Sequence, residues 1–112
     1  MSAISIQVLD GMQGRPAPGV LVRLECHDET RWNVIVSGVT SDDGRLPELA
    51  CYDVGRGRHQ LVITPSRYFA GLGIMAHYRE FTTEFQGDAT GADMHVTCYL
   101  TTAAFATFWQ QV

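Results

Sequence analysis

Residues 4–25 read ISIQVLDGMQGRPAPGVLVRLE. Side chains alternate across a strand, so Ile4, Ile6 and Val8 share one face while Ser5, Gln7 and Leu9 share the other. The Gly and Pro residues between Gly11 and Gly19 mark a turn. Beyond it Val20, Val22, Leu24 and Cys26 alternate with Leu21, Arg23 and Glu25. Two alternating strands around a turn begin a sandwich or a barrel. The second face of the first strand carries a glutamine at its centre, where a polar side chain needs either a partner or a task.

The rest of the chain repeats the device. RWNVIVSGVT (31–40) is a strand with Trp32, Val34 and Val36 expected on one face. SDDGR (41–45) is a turn, because Asp43-Gly44 supplies the positive φ that a tight turn needs. It lacks the acidic spacing of a calcium-binding loop. RHQLVI (58–63), YREFTTEF (78–85), MHVTCYL (94–100) and AAFATFWQQV (103–112) are further strands. Phe81, Thr83 and Phe85 fall opposite Glu80, Thr82 and Glu84. One segment breaks the period. TPSRYFAGLG (64–73) predicts a short helix near residues 65–72, with Thr64 as N-cap, Pro65 opening it and Gly73 ending it. The fold class is therefore all-β with one short helix, in a single domain spanning 1–112.

Composition narrows the function. A chain of 112 residues with 46% hydrophobic content can bury one core and is too short for two. Its net charge of −4, with no run of Arg or Lys, argues against nucleic acid or an anionic membrane as partner. No run of about 18 apolar residues is present to span a bilayer, and the N-terminus lacks the basic and apolar regions of a secretory signal. Cys26, Cys51 and Cys98 have no paired spacing, which fits reduced thiols in a cytoplasmic protein. No metal site and no cofactor is expected. His27, His59 and His77 have no partners at ligand spacing and are expected at the surface.

Taken in order, IQVLDGMQGRPAPGVLVRLE, SGVTSDDGRL, YFAGLG and MHV before a closing strand resemble the transthyretin family. The resemblance runs from about Ile4 to Trp109 and is closer to the bacterial 5-hydroxyisourate hydrolases than to the hormone carriers. It implies an eight-stranded two-sheet sandwich with one short helix. It also implies a homotetramer, a dimer of dimers, whose interface encloses a channel for a small-molecule substrate. In that frame Ser5, Gln7 and Leu9 look into the channel, joined by His95, Thr97 and Tyr99 from the penultimate strand and by Ala106, Phe108 and Gln110 from the last. Alternation shows only that each set shares a face. That the face lines a channel comes from the resemblance.

The hydrolases open a cyclic amide with a histidine on the first strand, an arginine after the Asp-Gly turn and a histidine on the penultimate strand. A closing Tyr-Arg-Gly-Ser shapes the floor. Imidazole suits proton transfer near neutrality, and guanidinium offers a permanent charge and a planar fork for a developing oxyanion. Here Arg45 and His95 match, Gln7 replaces the first histidine, and Phe108-Trp109-Gln110-Gln111 replaces the tetrapeptide. An amide cannot accept a proton at neutral pH, and losing a positioned acid–base group costs roughly 10²–10⁴-fold in rate.

The resemblance therefore implies His95, Arg45 and Gln7 as the chemical centre, with Ser5, Leu9, Thr97, Tyr99, Phe108, Gln110 and Gln111 contacting substrate. Three functions follow. The first is a diverged enzyme that opens, closes or isomerises a small carbonyl-rich ring, with secondary metabolism a natural home. The others are a genuine 5-hydroxyisourate hydrolase of urate catabolism and a non-catalytic carrier. Arg45 also reads as a turn arginine tied to Asp42 or Asp43, and Gln7 as a polar filler at a wet interface.

Overall fold

The chain is described here by a computed structural model covering residues 2–87 and 91–112. In chain order it forms β1 (Ser2–Asp10), β2 (Arg15–Pro16), β3 (Leu21–His27), β4 (Trp32–Val39), a 3-10 turn (Pro47–Cys51) and β5 (Asp53–Val54). Then follow β6 (Gly57–Thr64), helix α1 (Ser66–Gly71), β7 (Phe81–Gly87), β8 (Met94–Leu100) and β9 (Phe105–Gln111). One sheet runs β2-β1-β8-β9, with β5 pairing the start of β1, and the other runs β4-β3-β6-β7. This is the two-sheet sandwich expected, with the two-residue β2 as a small addition at the first turn.

The two inner faces make the core. Ile4, Ile6 and Val8 of β1 and Val96, Cys98 and Leu100 of β8 meet Val22 and Leu24 of β3 and Leu61 and Ile63 of β6. All are buried, and each such aliphatic side chain stabilises the fold by about 1.5–3 kcal/mol. Phe69 of α1 joins this core and is fully buried. Burial also pushes the Cys98 thiol up to about 12, so it packs as a small hydrophobe. Among the described residues, no helix is long and apolar enough to cross a membrane.

The hinge of the fold is a buried carboxylate. Asp10, at the end of β1, accepts backbone N–H bonds from Met12 (2.8 Å) and Gln13 (3.0 Å), which turn the chain toward β2. Its second oxygen accepts the hydroxyl of Tyr68 on α1, 58 residues away. The helix is thereby tied to the first turn.

Three expectations are corrected. Trp32 and Val34 do not share a face with Val36: Leu24 pairs with Val36 but Glu25 pairs with Val34, so Ile35 is an extra residue. The bulge shifts the register and sends Trp32 and Val34 to the outer face. Thr64 is not the helix cap. It ends β6, its hydroxyl donates to Glu80 (3.1 Å), and Pro65 takes the cap position without a side-chain bond. Gly73, at φ +73, still follows the helix as the stop. His59 is 1% exposed, not at the surface. It stacks on Phe85 with ring centroids 5.5 Å apart, and its Nδ1 lies 3.0 Å from the Gly57 carbonyl oxygen.

Candidate functional site

The parallel pairing of β1 with β8 decides which residues meet. Ser5 lies opposite His95, Gln7 opposite Thr97 and Leu9 opposite Tyr99. The antiparallel β8–β9 pairing extends these rows to Gln110, Phe108 and Ala106 respectively. The outer face of this sheet therefore carries a polar row (Ser5, His95, Gln110), a mixed row (Gln7, Thr97, Phe108) and an apolar row (Leu9, Tyr99, Ala106). Tyr99 and Phe108 touch edge to face at 5.6 Å and are 42% and 58% exposed in the single chain.

Arg45 joins from the 41–45 turn. Ser41 and Arg45 close the turn through a 2.8 Å backbone bond, and Asp43 Oδ1 accepts the Ser41 hydroxyl (2.7 Å) and the Arg45 N–H (3.0 Å). These hydrogen bonds, Ser41 first, hold the Asp43 carboxyl below the usual range. Gly44 sits at φ +78, and its carbonyl accepts the Val8 N–H at 2.8 Å. A Cβ at Gly44 would run into the Val8 carbonyl oxygen, so only glycine lets the turn lie against β1. Gln7 and Arg45 consequently face each other as an isolated antiparallel bridge.

The Gln7 side chain has a defined orientation. Its Nε2 donates to the Asp43 carbonyl oxygen at 2.9 Å, which leaves Oε1 as the amide's remaining acceptor. Arg45 is 51% exposed, and its Nε lies 3.9 Å from Asp43 Oδ2. That is a loose pairing which leaves most of the guanidinium fork available. Arg45 is thus loosely tied to Asp43, and Gln7 braces the turn that carries it.

His95 is half-buried, with Nδ1 2.7 Å from Ser5 Oγ. Burial, and then the positive charge of Arg45, lower its pKa from the ordinary histidine value. The imidazole is therefore neutral at neutral pH and able to accept a proton. A cavity of about 310 Å³ beside β1 is lined by Ser5, Ser41, Asp43, Arg45, Pro47 and Ala50, among others. A larger groove, of about 720 Å³, lies elsewhere, between Arg15, Val39, Arg67 and Leu72, and contains none of the candidate site residues.

One sequence candidate falls away from this cluster. Gln111 pairs with Met94, so it lies on the opposite side of the sheet from Gln110 and His95. Trp109, in the row of Val96, is likewise turned inward and packs on Phe85 at 5.0 Å. Among the described residues, no cluster of three or more His, Cys, Asp or Glu side chains is placed to hold a metal ion. The Ser5–His95 contact escaped the sequence reading, because alternation assigns faces and does not assign rows.

A sequence model of the HIUase/Transthyretin family matches residues 4–109. The chain belongs to this family. It is 29% identical over 109 residues to the 5-hydroxyisourate hydrolase of Salmonella typhimurium, covering 94% of this chain and 78% of the relative. To the transthyretin of Aquarana catesbeiana it is 28% identical over 101 residues, covering 88% and 66%. Among solved structures, Sparus aurata transthyretin superposes with a TM-score of 0.89 at 16% identity, covering 100% of this chain and 99% of that one. Klebsiella pneumoniae 5-hydroxyisourate hydrolase gives 0.82 at 24% identity, covering 97% and 99%. The family's two branches are both represented, and at these identities the structural likeness speaks for the fold alone.

Proposed function

We propose that this member of the HIUase/transthyretin family is a diverged hydrolase-like enzyme that opens, closes or isomerises a small carbonyl-rich ring. The supporting observation is the grouping of a neutral His95 and an available Arg45 on one sheet face, in a chain where Gln7 stands at the third position. His95 takes and returns the proton, and Arg45 holds the negative charge that builds on the ring carbonyl. Gln7 contributes no proton transfer. It braces the arginine turn and offers Oε1 to a donor on the substrate. Leu9, Thr97, Tyr99, Phe108 and Gln110 form the wall against which the ring lies, and Gln111 is no longer assigned to it.

The exposed Tyr99 and Phe108 support assembly through this face, since an uncovered aromatic pair on a strand face favours a partner surface. We assign the protein to a cytoplasmic homotetramer in which two such faces enclose the channel. Light scattering at micromolar concentration is expected to give four chains per particle, and a stable monomer would remove the channel.

The function is tested by presenting a panel of cyclic amides and ureides, freshly generated 5-hydroxyisourate among them, to the wild type and to His95→Ala. The expected result is turnover of one compact ring, lowered roughly 10²–10⁴-fold in His95→Ala, with only slow decay of 5-hydroxyisourate. A kcat/KM of order 10⁴ M⁻¹s⁻¹ or more on 5-hydroxyisourate would return the protein to ordinary urate breakdown. Binding without turnover of any ring would make it a carrier.

A further inference from the structure

Ser5 lies between a base and a cation. On the β8 side its Oγ is 2.7 Å from His95 Nδ1. On the other side of β1 it shares with Arg45 the walls of the 310 Å³ cavity, which is just large enough for a compact ring. His95 is its hydrogen-bond partner among the described residues. The reaction proposed above assigns chemistry to His95 and Arg45 and leaves this hydroxyl idle. In the tautomer that carries its proton on Nε2, the imidazole accepts at Nδ1 and the Ser5 hydroxyl is the donor, which is the arrangement a nucleophile needs.

We propose that Ser5 is a nucleophile, with His95 as its base and Arg45 as the donor to the oxyanion, acting on the carbonyl of a cyclic amide or an activated ester. The inference deepens the ring-opening reading and rests on it. As the Oγ–C bond forms, the hydroxyl proton passes to His95 Nδ1 and the carbonyl electron pair moves onto oxygen, where the Arg45 guanidinium holds it. The pair then returns and the ring C–N bond breaks. The leaving nitrogen takes the proton from His95, and the opened ring remains as an ester on Ser5. Water attacks this ester, losing a proton to Nδ1. That proton goes back to Ser5 Oγ as the C–O bond breaks, so atoms and charges balance with water as the second reactant.

The order of groups across the sheet supports these roles. The base comes from β8, the nucleophile from β1 and the cation from the 41–45 turn on the far side of β1, so a carbonyl over Ser5 has the imidazole on one side and the guanidinium on the other.

The test needs no knowledge of the natural substrate. The intact protein is treated with an alkyl fluorophosphonate, and the adduct is located by peptide mass spectrometry. One adduct per chain is expected on Ser5, formed at least roughly 10²-fold more slowly in His95→Ala and absent from Ser5→Ala. p-Nitrophenyl acetate is expected to release a burst of one equivalent of nitrophenolate and leave an acetyl group on Ser5. Labelling that spreads over Ser41 and Ser66, or that reaches Ser5 at the same rate without His95, would overturn the proposal. The arms also separate it from the ring-opening reading. Ring turnover that needs His95 without any Ser5 adduct removes the nucleophile alone, whereas a His95-dependent adduct with no ring opened removes the ring substrate alone.

Discussion

The side-chain amide of Gln7 donates to the backbone carbonyl of Asp43 at 2.9 Å, so a residue of the first strand holds the turn that presents Arg45. Gln7 is then a brace, so under the proposed function its replacement would act on Arg45 as well as on substrate. Gln7→Leu is expected to cost about 0.5–1.5 kcal/mol in denaturant unfolding and to raise KM through a looser Arg45. Gln7→His restores the imidazole of the family pattern. It should raise 5-hydroxyisourate hydrolysis by about 10-fold or more while lowering the native activity, as read by ultraviolet decay and by the native turnover assay.

His95 is expected to titrate below an ordinary histidine, whose pKa is about 6.5, when followed by NMR of its ring protons. Burial is the larger cause and the Arg45 charge the smaller. Arg45→Gln should therefore raise the midpoint without bringing it to the ordinary value. Activity that needs the neutral ring rises with pH through this lowered midpoint and is flat above it. Stability follows the same sign. The folded state binds this proton less tightly than the unfolded chain, so the His95 contribution is complete above the unfolded pKa. It is lost as pH falls toward the folded one.

Gly44→Ala should damage both fold and function. The left-handed backbone at φ +78 costs an L-residue about 1–2 kcal/mol, and the added methyl meets the Val8 carbonyl oxygen. Thermal melting is expected to drop by several degrees. Turnover should fall further than the loss of folded protein explains, because the Arg45 turn can no longer lie flat on β1.

Tyr68→Phe leaves one buried oxygen of Asp10 without its donor, at an expected cost of about 1–3 kcal/mol in urea unfolding. The Arg45 and His95 side chains are untouched by it, so kcat per folded molecule should hold. A loss of kcat at full stability would mean that α1 and the site are coupled by a route other than this bond.

Much of this protein follows from local chemistry. Alternation in ISIQVLD and MHVTCYL places Ile6 and Val96 inside and Gln7 and His95 outside, because a strand has period two whatever its partner. Asp43-Gly44 makes its turn because glycine takes the left-handed backbone angle there without the strain a Cβ would add. Where the period was disturbed, local reading failed. The extra Ile35 turned Trp32 and Val34 outward. On the undisturbed β9, alternation itself puts Gln111 on the inner side, one residue from Gln110, and its place in the site came from the resemblance alone. His59 went inside because Phe85, on the neighbouring strand β7, gives its ring a stack, and the Gly57 carbonyl of its own strand gives it a hydrogen-bond partner.

Rows are a different matter from faces. A slip of two residues between β1 and β8 would keep every apolar side chain in the core and set His95 beside Ala3 or Gln7 instead of Ser5. The hydrophobic pattern is nearly indifferent to that choice. It is made by packing and pairing between segments 90 residues apart, with Asp10 and Tyr68 tying one end. The sequence by itself determined the sandwich and the outward set of polar residues, because those depend on period and turn chemistry. Only the tertiary structure decided that Ser5 meets His95 while Gln7 meets the arginine turn, because register is a property of two strands and belongs to neither alone.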